Sequence, residues 1–156
     1  MLLVTIPKVM GFSKGMKILD MMPTGYDAEY INALFSALGE EGRNAYLYNQ
    51  IPVDLVYPFL FAISFCLLLA YLLNKLKKLD GPLFYLCLLP LLGGFFDYLE
   101  NFSTIALLTS YPNISSLTAS MANVFTILKS GFTTVYFVAL IVTLLVFVGS
   151  VLSKRG

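Results

Sequence analysis

The stretch from Phe132 to Leu152 carries no charged residue, and no other feature narrows the folding options of this chain as far. At about 1.5 Å per residue an apolar run of that length crosses the roughly 30 Å hydrocarbon core of a bilayer, where only a helix satisfies its own backbone. Two more stretches are of the same kind: residues 52–74, PVDLVYPFLFAISFCLLLAYLLN, and residues 82–108, which begin at Pro82 and run through LFYLCLLPLLGGFF. With 58% hydrophobic and 12% charged residues, the 156-residue chain has more apolar surface than a soluble globule of its size can hide. The expected fold is all-α: a polytopic helical membrane bundle, one membrane domain over residues 1–156, with three transmembrane helices at 52–74, 82–108 and 116–152. Asp54 stands at the entrance to the first, and Pro58 is expected to kink it.

The rest of the chain precedes these spans. Residues 1–22 are apolar, but Lys8, Lys14, Lys17 and Asp20 interrupt them. From Gly11 onward a helical projection places Phe12, Met16 and Leu19 opposite Lys14 and Lys17. Two readings stay open: a helix lying in the membrane interface, or a short fourth span. A secretory signal peptide fits less well, because the lysines follow the apolar start and no small-residue cleavage site comes after them. Residues 23–51 read as an extracytoplasmic helical cap. Pro23-Thr24-Gly25-Tyr26 breaks the chain, Asp27 is placed to cap a helix from Ala28 to Leu38, and Gly39 is expected to end it. Ile31, Leu34, Phe35 and Leu38 form its apolar stripe. Glu40 and Glu41 open the next helix, where its dipole favours acids. Tyr46 and Tyr48 follow at headgroup level.

Charge sets the expected orientation. Lys75, Lys77 and Lys78 fill the loop after the first span, and Lys154 and Arg155 follow the last. Both ends are cytoplasmic under the positive-inside rule. Residues 23–54, with Asp27, Glu29, Glu40, Glu41 and Asp54 against Arg43, then lie outside. The expected location is the cell membrane (the inner membrane of a bacterium), multi-pass, with a cytoplasmic C-terminus.

Inside the second span sit Asp97, Glu100 and Asn101, spaced i, i+3, i+4 and so on one helix face, which Gly94 and Thr104 extend. An ionisable residue there costs roughly 2.5–3.5 kcal/mol on insertion scales, so it marks a candidate site. Asp97 and Glu100 lie roughly 21 and 25 Å up the helix from residue 83, in the outer half of the bilayer. Lys129, Asp54 and Arg43 belong at the same depth. The candidate cluster is therefore Asp97, Glu100, Asn101, Lys129, Asp54 and Arg43, with the two carboxyls sharing Lys129 or one of them keeping its proton.

Several chemistries lack their parts. There is no histidine, and Cys66 and Cys87 are too far apart for a CxxC motif. Both cysteines read as packing residues, and no metal or cofactor is expected. A net charge of +1 without a basic stripe argues against nucleic acid. A carboxylate pair at an interface could do acid–base work or hold a divalent cation on a lipid headgroup. However, no GxSxG elbow, Walker motif or DxxxD signature accompanies it, and no catalytic residue is assigned. The bland reading of the cluster is an interhelical lock, with Asn101 bonding across helices. The functional reading is that it binds a lipid headgroup, a small solute or a partner helix. The alternatives are a proton-coupled transport component or a membrane lipid-modifying enzyme. Expected partners are membrane lipids, a second copy of the chain, or another membrane protein.

The segments GYDAEYINALFSALGEEGRNAYLY, DLVYP, GGFFDYLEN and NVFTILKSG resemble a group of small, uncharacterised integral membrane proteins, mostly bacterial, with about four spans. The similarity covers residues 18–152, and ALGEEGR and DYLEN are its most specific pieces. In that group a full apolar helix usually precedes the GYD segment, so the resemblance implies a fourth span that residues 1–22 supply only in part. It implies an architecture and no activity.

Overall fold

The computed structural model describes residues 4–153, and its ordered elements are all helical. In chain order they are α1 (Thr5–Met10), a 3-10 turn at Leu19–Met21, α2 (Ala28–Ala45), a π-helical turn at Tyr46–Gln50, α3 (Ile51–Asp54), α4 (Tyr57–Lys75), a 3-10 segment at Pro82–Leu88, α5 (Leu89–Ser110) and α6 (Ser116–Leu152). No strand occurs among the described residues. Three helical stretches, Ala28–Lys75 (interrupted at Gly39 and at Leu55–Val56), Pro82–Ser110 and Ser116–Leu152, are long and apolar enough to cross a membrane. Val138, Ile141, Leu145 and Val148 of α6 are exposed. So are Phe59, Leu60, Leu67 and Tyr71 of α4. Helices this apolar on their outer faces need lipid rather than water around them.

Helix α5 lies between the other two. Its buried stripe runs Gly93, Gly94, Asp97, Glu100, Asn101, Thr104, Leu107 and Leu108, a helical period that keeps Asp97, Glu100, Asn101 and Thr104 off the lipid face. The two glycines let its neighbours come close. A methyl at Gly93 would stand 3.2 Å from Thr133 Oγ1 on α6. At Gly94 it would stand 2.9 Å from the Pro58 carbonyl oxygen and 3.0 Å from Ala62 Cβ on α4. This is the small-residue packing of membrane helices, in which backbone approach replaces the hydrophobic effect as the source of cohesion.

Residues before α4 close one end of the bundle, here termed the capped end. Ile6, Val9, Ile18, Leu19, Leu34, Phe35, Leu38 and Tyr46 form a core there with Leu107 of α5 and Ala119 and Ala122 of α6. Asp27 caps α2, accepting from the Tyr30 N–H at 2.7 Å. Gly39, with φ 62°, breaks the helix as expected, and a second helical segment opens at Glu40. The expected kink at Pro58 is a helix start: the chain breaks at Leu55–Val56, and Pro58 enters the first turn of α4, where its missing N–H costs nothing.

The largest departure concerns residues 11–22, expected as an amphipathic helix. Lys14 and Gly15 take left-handed conformations, φ 53° and 88°, and the chain there is a run of turns. The Ser13 hydroxyl lies within hydrogen-bond distance of the Met10 and Met16 carbonyls, at 2.9 and 2.5 Å. Leu19 is buried and Phe12 and Met16 pack partly buried against the core, so the apolar residues do turn inward without a helix to present them. Among the described residues before Pro23 the longest helix is α1, six residues, too short to span a bilayer. The Lys154–Arg155 pair lies outside the described residues.

Candidate functional site

The i, i+3, i+4 spacing on α5 turns Asp97, Glu100 and Asn101 toward α6, and Lys129 of α6 answers them. Its ammonium nitrogen stands 2.8 Å from Asp97 Oδ1 and 2.6 Å from Glu100 Oε2. Glu100 is almost wholly buried, at 1% side-chain exposure. Its other oxygen, Oε1, accepts from the Thr126 hydroxyl at 2.5 Å. Thr126 precedes Lys129 by one helical turn, so a single face of α6 supplies both donors. The Tyr26 hydroxyl, 3.1 Å from Thr126 Oγ1, continues the chain of contacts into the cap. The Tyr26 N–H donates to Asn123 Oδ1 at 2.9 Å, tying the same residue to α6 a second time. Burial raises the pKa of the Tyr26 phenol and keeps it a neutral hydrogen-bonding group.

Asp54 and Asn101 extend the cluster on its other side. The Asn101 amide nitrogen is 3.4 Å from both the Asp54 carbonyl oxygen and Asp97 Oδ1. Asp54 itself is 2% exposed, and its Oδ2 has no hydrogen-bond partner among the described residues. Asp20 joins from the 3-10 turn. Both its carboxyl oxygens are buried without a partner. Burial, then the nearby charges of Asp54 and Glu100, raise its pKa well above the usual carboxyl range, against the pull of Lys129 and the Tyr46 hydroxyl. Asn101 Oδ1, Thr104 Oγ1, Gln50 Nε2 and the Tyr46 hydroxyl are likewise buried and unpartnered. In most folded proteins such groups are few. Two of the residues concerned, Asp20 and Asp54, line one feature.

That feature is a cavity of about 460 Å³ lined by Ile6, Asp20, Met21, Asp54, Tyr57, Asp97 and Lys129. A smaller one of about 120 Å³ shares Tyr57, Asp97 and Lys129 with it and continues between Phe61, Gly93 and Thr133. Four carboxyls, Asp20, Asp54, Asp97 and Glu100, thus surround one ammonium among the described residues. No set of three or more His, Cys, Asp or Glu side chains among the described residues is grouped as a metal site.

Of the six residues expected to cluster, the structure brings together Asp97, Glu100, Asn101, Lys129 and Asp54 and leaves Arg43 out. The Arg43 guanidinium donates to the Phe35 carbonyl oxygen at 2.8 Å and lies 4.5 Å from the centre of the Tyr111 ring, so it ties α2 to the turn after α5. Asp20, Tyr26, Tyr57 and Thr126 belong to the site without having been expected there. Thr126 was within reach of sequence reasoning, since it stands one turn from Lys129. Asp20 was noted only as an interruption of an apolar stretch, and an unexplained acid in such a stretch was the available signal.

Comparison of the chain with protein-family models, curated proteins and solved structures finds no match.

Proposed function

We propose that the protein is a small integral membrane binding protein whose polar cavity, in the outer leaflet, holds a small solute or the headgroup of a lipid. One observation carries this reading: Asp20 and Asp54, with buried carboxyl oxygens that find no hydrogen-bond partner among the described residues, line the 460 Å³ cavity. Lys129 with Asp97 and Glu100 is sufficient as an interhelical lock. A lock has no use for Asp20 and Asp54, which add desolvated acceptors without closing a contact. Lysines 75, 77 and 78 assign the loop after α4 to the cytoplasm, and the cap and cavity to the outside. Residues 5–22 then lie at the outer surface with Lys14 and Lys17 exposed toward headgroup phosphates.

The smaller cavity favours a second reading, a proton-coupled transport component, because it extends the polar space past Asp97 and Lys129. Phe61, Phe65 and Tyr136 pack beyond it with ring centroids 4.8–6.3 Å apart, and transport requires that these rings move. No comparable observation favours a lipid-modifying enzyme.

The test is ligand-dependent stabilisation of the purified full-length protein in nanodiscs, screened with ethanolamine, ethyl phosphate and glycerol, and with added phosphatidylethanolamine or phosphatidylglycerol. At least one should raise the melting midpoint, and Met21→Trp, which fills the cavity, should abolish the gain. If none does so in a folded protein, the binding reading fails. Proton flux into proteoliposomes that is lost in Asp97→Asn would move the conclusion to transport.

A further inference from the structure

The cavity's own lining leaves unsatisfied atoms of one character only. It contributes Asp20 Oδ1, Asp20 Oδ2 and Asp54 Oδ2, all carboxyl oxygens. The cation in the lining, Lys129, already sits between Asp97 and Glu100. We propose that the cavity selects ligands bearing a primary ammonium group, seated between Asp20 and Asp54. This rests on the binding reading above and narrows it to one class of ligand.

Charge and hydrogen-bond inventory lead to this class by different routes. An anion entering the cavity would meet carboxylates whose counter-charge is already engaged, so like-charge repulsion works against it. A neutral polyol could donate hydrogen bonds but brings no positive charge, so it could not favour Asp20 or Asp54 in the ionised form. A divalent cation needs several oxygens converging at about 2.0–2.6 Å, and the described residues hold no such group. An ammonium group brings three donors and a positive charge and makes no strict demand on geometry. The remaining walls suit the carbon that would carry it. Ile6 and Met21 are apolar, and the Tyr57 ring, which borders both cavities, offers a π face to a cation.

An ammonium ligand would also change the charge balance around Asp20. Asp20 faces Asp54 on α3, Glu100 on α5, Lys129 on α6, Tyr46 on the π turn and Tyr26 before α2. Of these only Lys129 and the Tyr46 hydroxyl favour its ionised form. A bound ammonium would add a third such influence and draw the proton off Asp20. Ligand affinity should therefore rise with pH until the amine itself loses its proton.

Such a group can come from an aminophospholipid headgroup or from a free amine, and the experiment separates them. Full-length protein is placed in phosphatidylcholine nanodiscs, whose headgroup has no N–H donor, and titrated with ethylammonium chloride, tetramethylammonium chloride or sodium ethyl phosphate at equal ionic strength. Melting midpoints are read, and lipids retained from mixed phosphatidylethanolamine–phosphatidylcholine discs are weighed by native mass spectrometry. The expected result is stabilisation by ethylammonium and not by tetramethylammonium. Selective retention of phosphatidylethanolamine identifies a lipid source, and stabilisation without retention a free amine. Asp20→Asn keeps the shape and should weaken ethylammonium binding at least about tenfold, the scale of one lost charge-assisted hydrogen bond. Asp54→Asn gives the same reading if the first variant does not fold. Equal response to the two ammonium salts, or unchanged binding in a folded Asp20→Asn protein, overturns the proposal. Stabilisation by ethyl phosphate alone would overturn it and leave the binding reading standing, whereas silence from every solute and lipid would remove both.

Discussion

Toward the capped end, α5 and α6 meet through charge; toward the lysine loop, α4 and α6 meet through rings. In the second region Phe65 lies 5.5 Å from Tyr136 and 5.4 Å from Phe137, centre to centre, edge against face. Its buried hydroxyls are satisfied: Tyr136 donates to the Phe65 carbonyl oxygen at 2.9 Å and Thr143 to the Ala139 carbonyl oxygen at 2.8 Å. Leu69, Leu72, Leu73 and Cys87 complete a core with no buried charge. In the first region a lysine and two carboxylates are paired, yet Asp20, Asp54, Asn101 and Thr104 keep buried atoms without partners. The same helices thus build one layer that is complete in itself and one that another molecule could complete. Surplus buried polarity in a membrane bundle is costly, and its restriction to one layer is what motivates the proposed binding site.

The contrast can be broken most forcefully at Lys129. Lys129→Met should destabilise the protein by about 3–5 kcal/mol, because it strands two buried carboxylates, and unfolding in detergent will measure it. Adding Asp97→Asn and Glu100→Gln should recover most of the loss if the effect is stranded charge rather than lost packing.

A second disruption is steric. Gly94→Val should cost about 1–3 kcal/mol by overpacking, because its Cβ alone would stand 2.9 Å from a backbone oxygen of α4. Gly131→Ala is the control: nothing lies within 4 Å of its added methyl, and removing a helical glycine there should be neutral or mildly stabilising.

pH sharpens the comparison through Asp20. Its pKa is raised by burial first and then by Asp54 and Glu100, so the folded state holds the proton to higher pH than the unfolded chain does. The associated stability is complete below the ordinary carboxyl range and is lost as pH rises through the raised value. Amide exchange of residues 5–21 should therefore accelerate with pH beyond the intrinsic base dependence. Asp20→Asn should cancel the excess, and the aromatic layer should show none.

The smallest effect belongs to that layer. Tyr136→Phe should cost about 0.6 kcal/mol, the average for an interhelical hydrogen bond in a membrane protein. A loss as large as that of Lys129→Met would mean that the two layers do not differ as described.

The three long helices were legible in the residues because crossing lipid demands only length, an apolar surface and a satisfied backbone, all of them local properties. The shared face of Asp97, Glu100 and Asn101 was legible for a similar reason: helical period alone sets it. Depth along the bundle also grouped Lys129 and Asp54 with them, since rise per residue is nearly constant. Arg43 shared that depth and went elsewhere, because depth says nothing about which way round a helix a side chain points. Asp20 escaped notice because residues 11–22 are not a helix, and their path is held by left-handed turns at Lys14 and Gly15 and by packing against α2. Sequence by itself thus determined which three stretches form long apolar helices and which groups share a face or a depth. Only the tertiary structure decided which groups meet and which stay unpaired, since azimuth and loop path follow from packing between segments far apart in the chain.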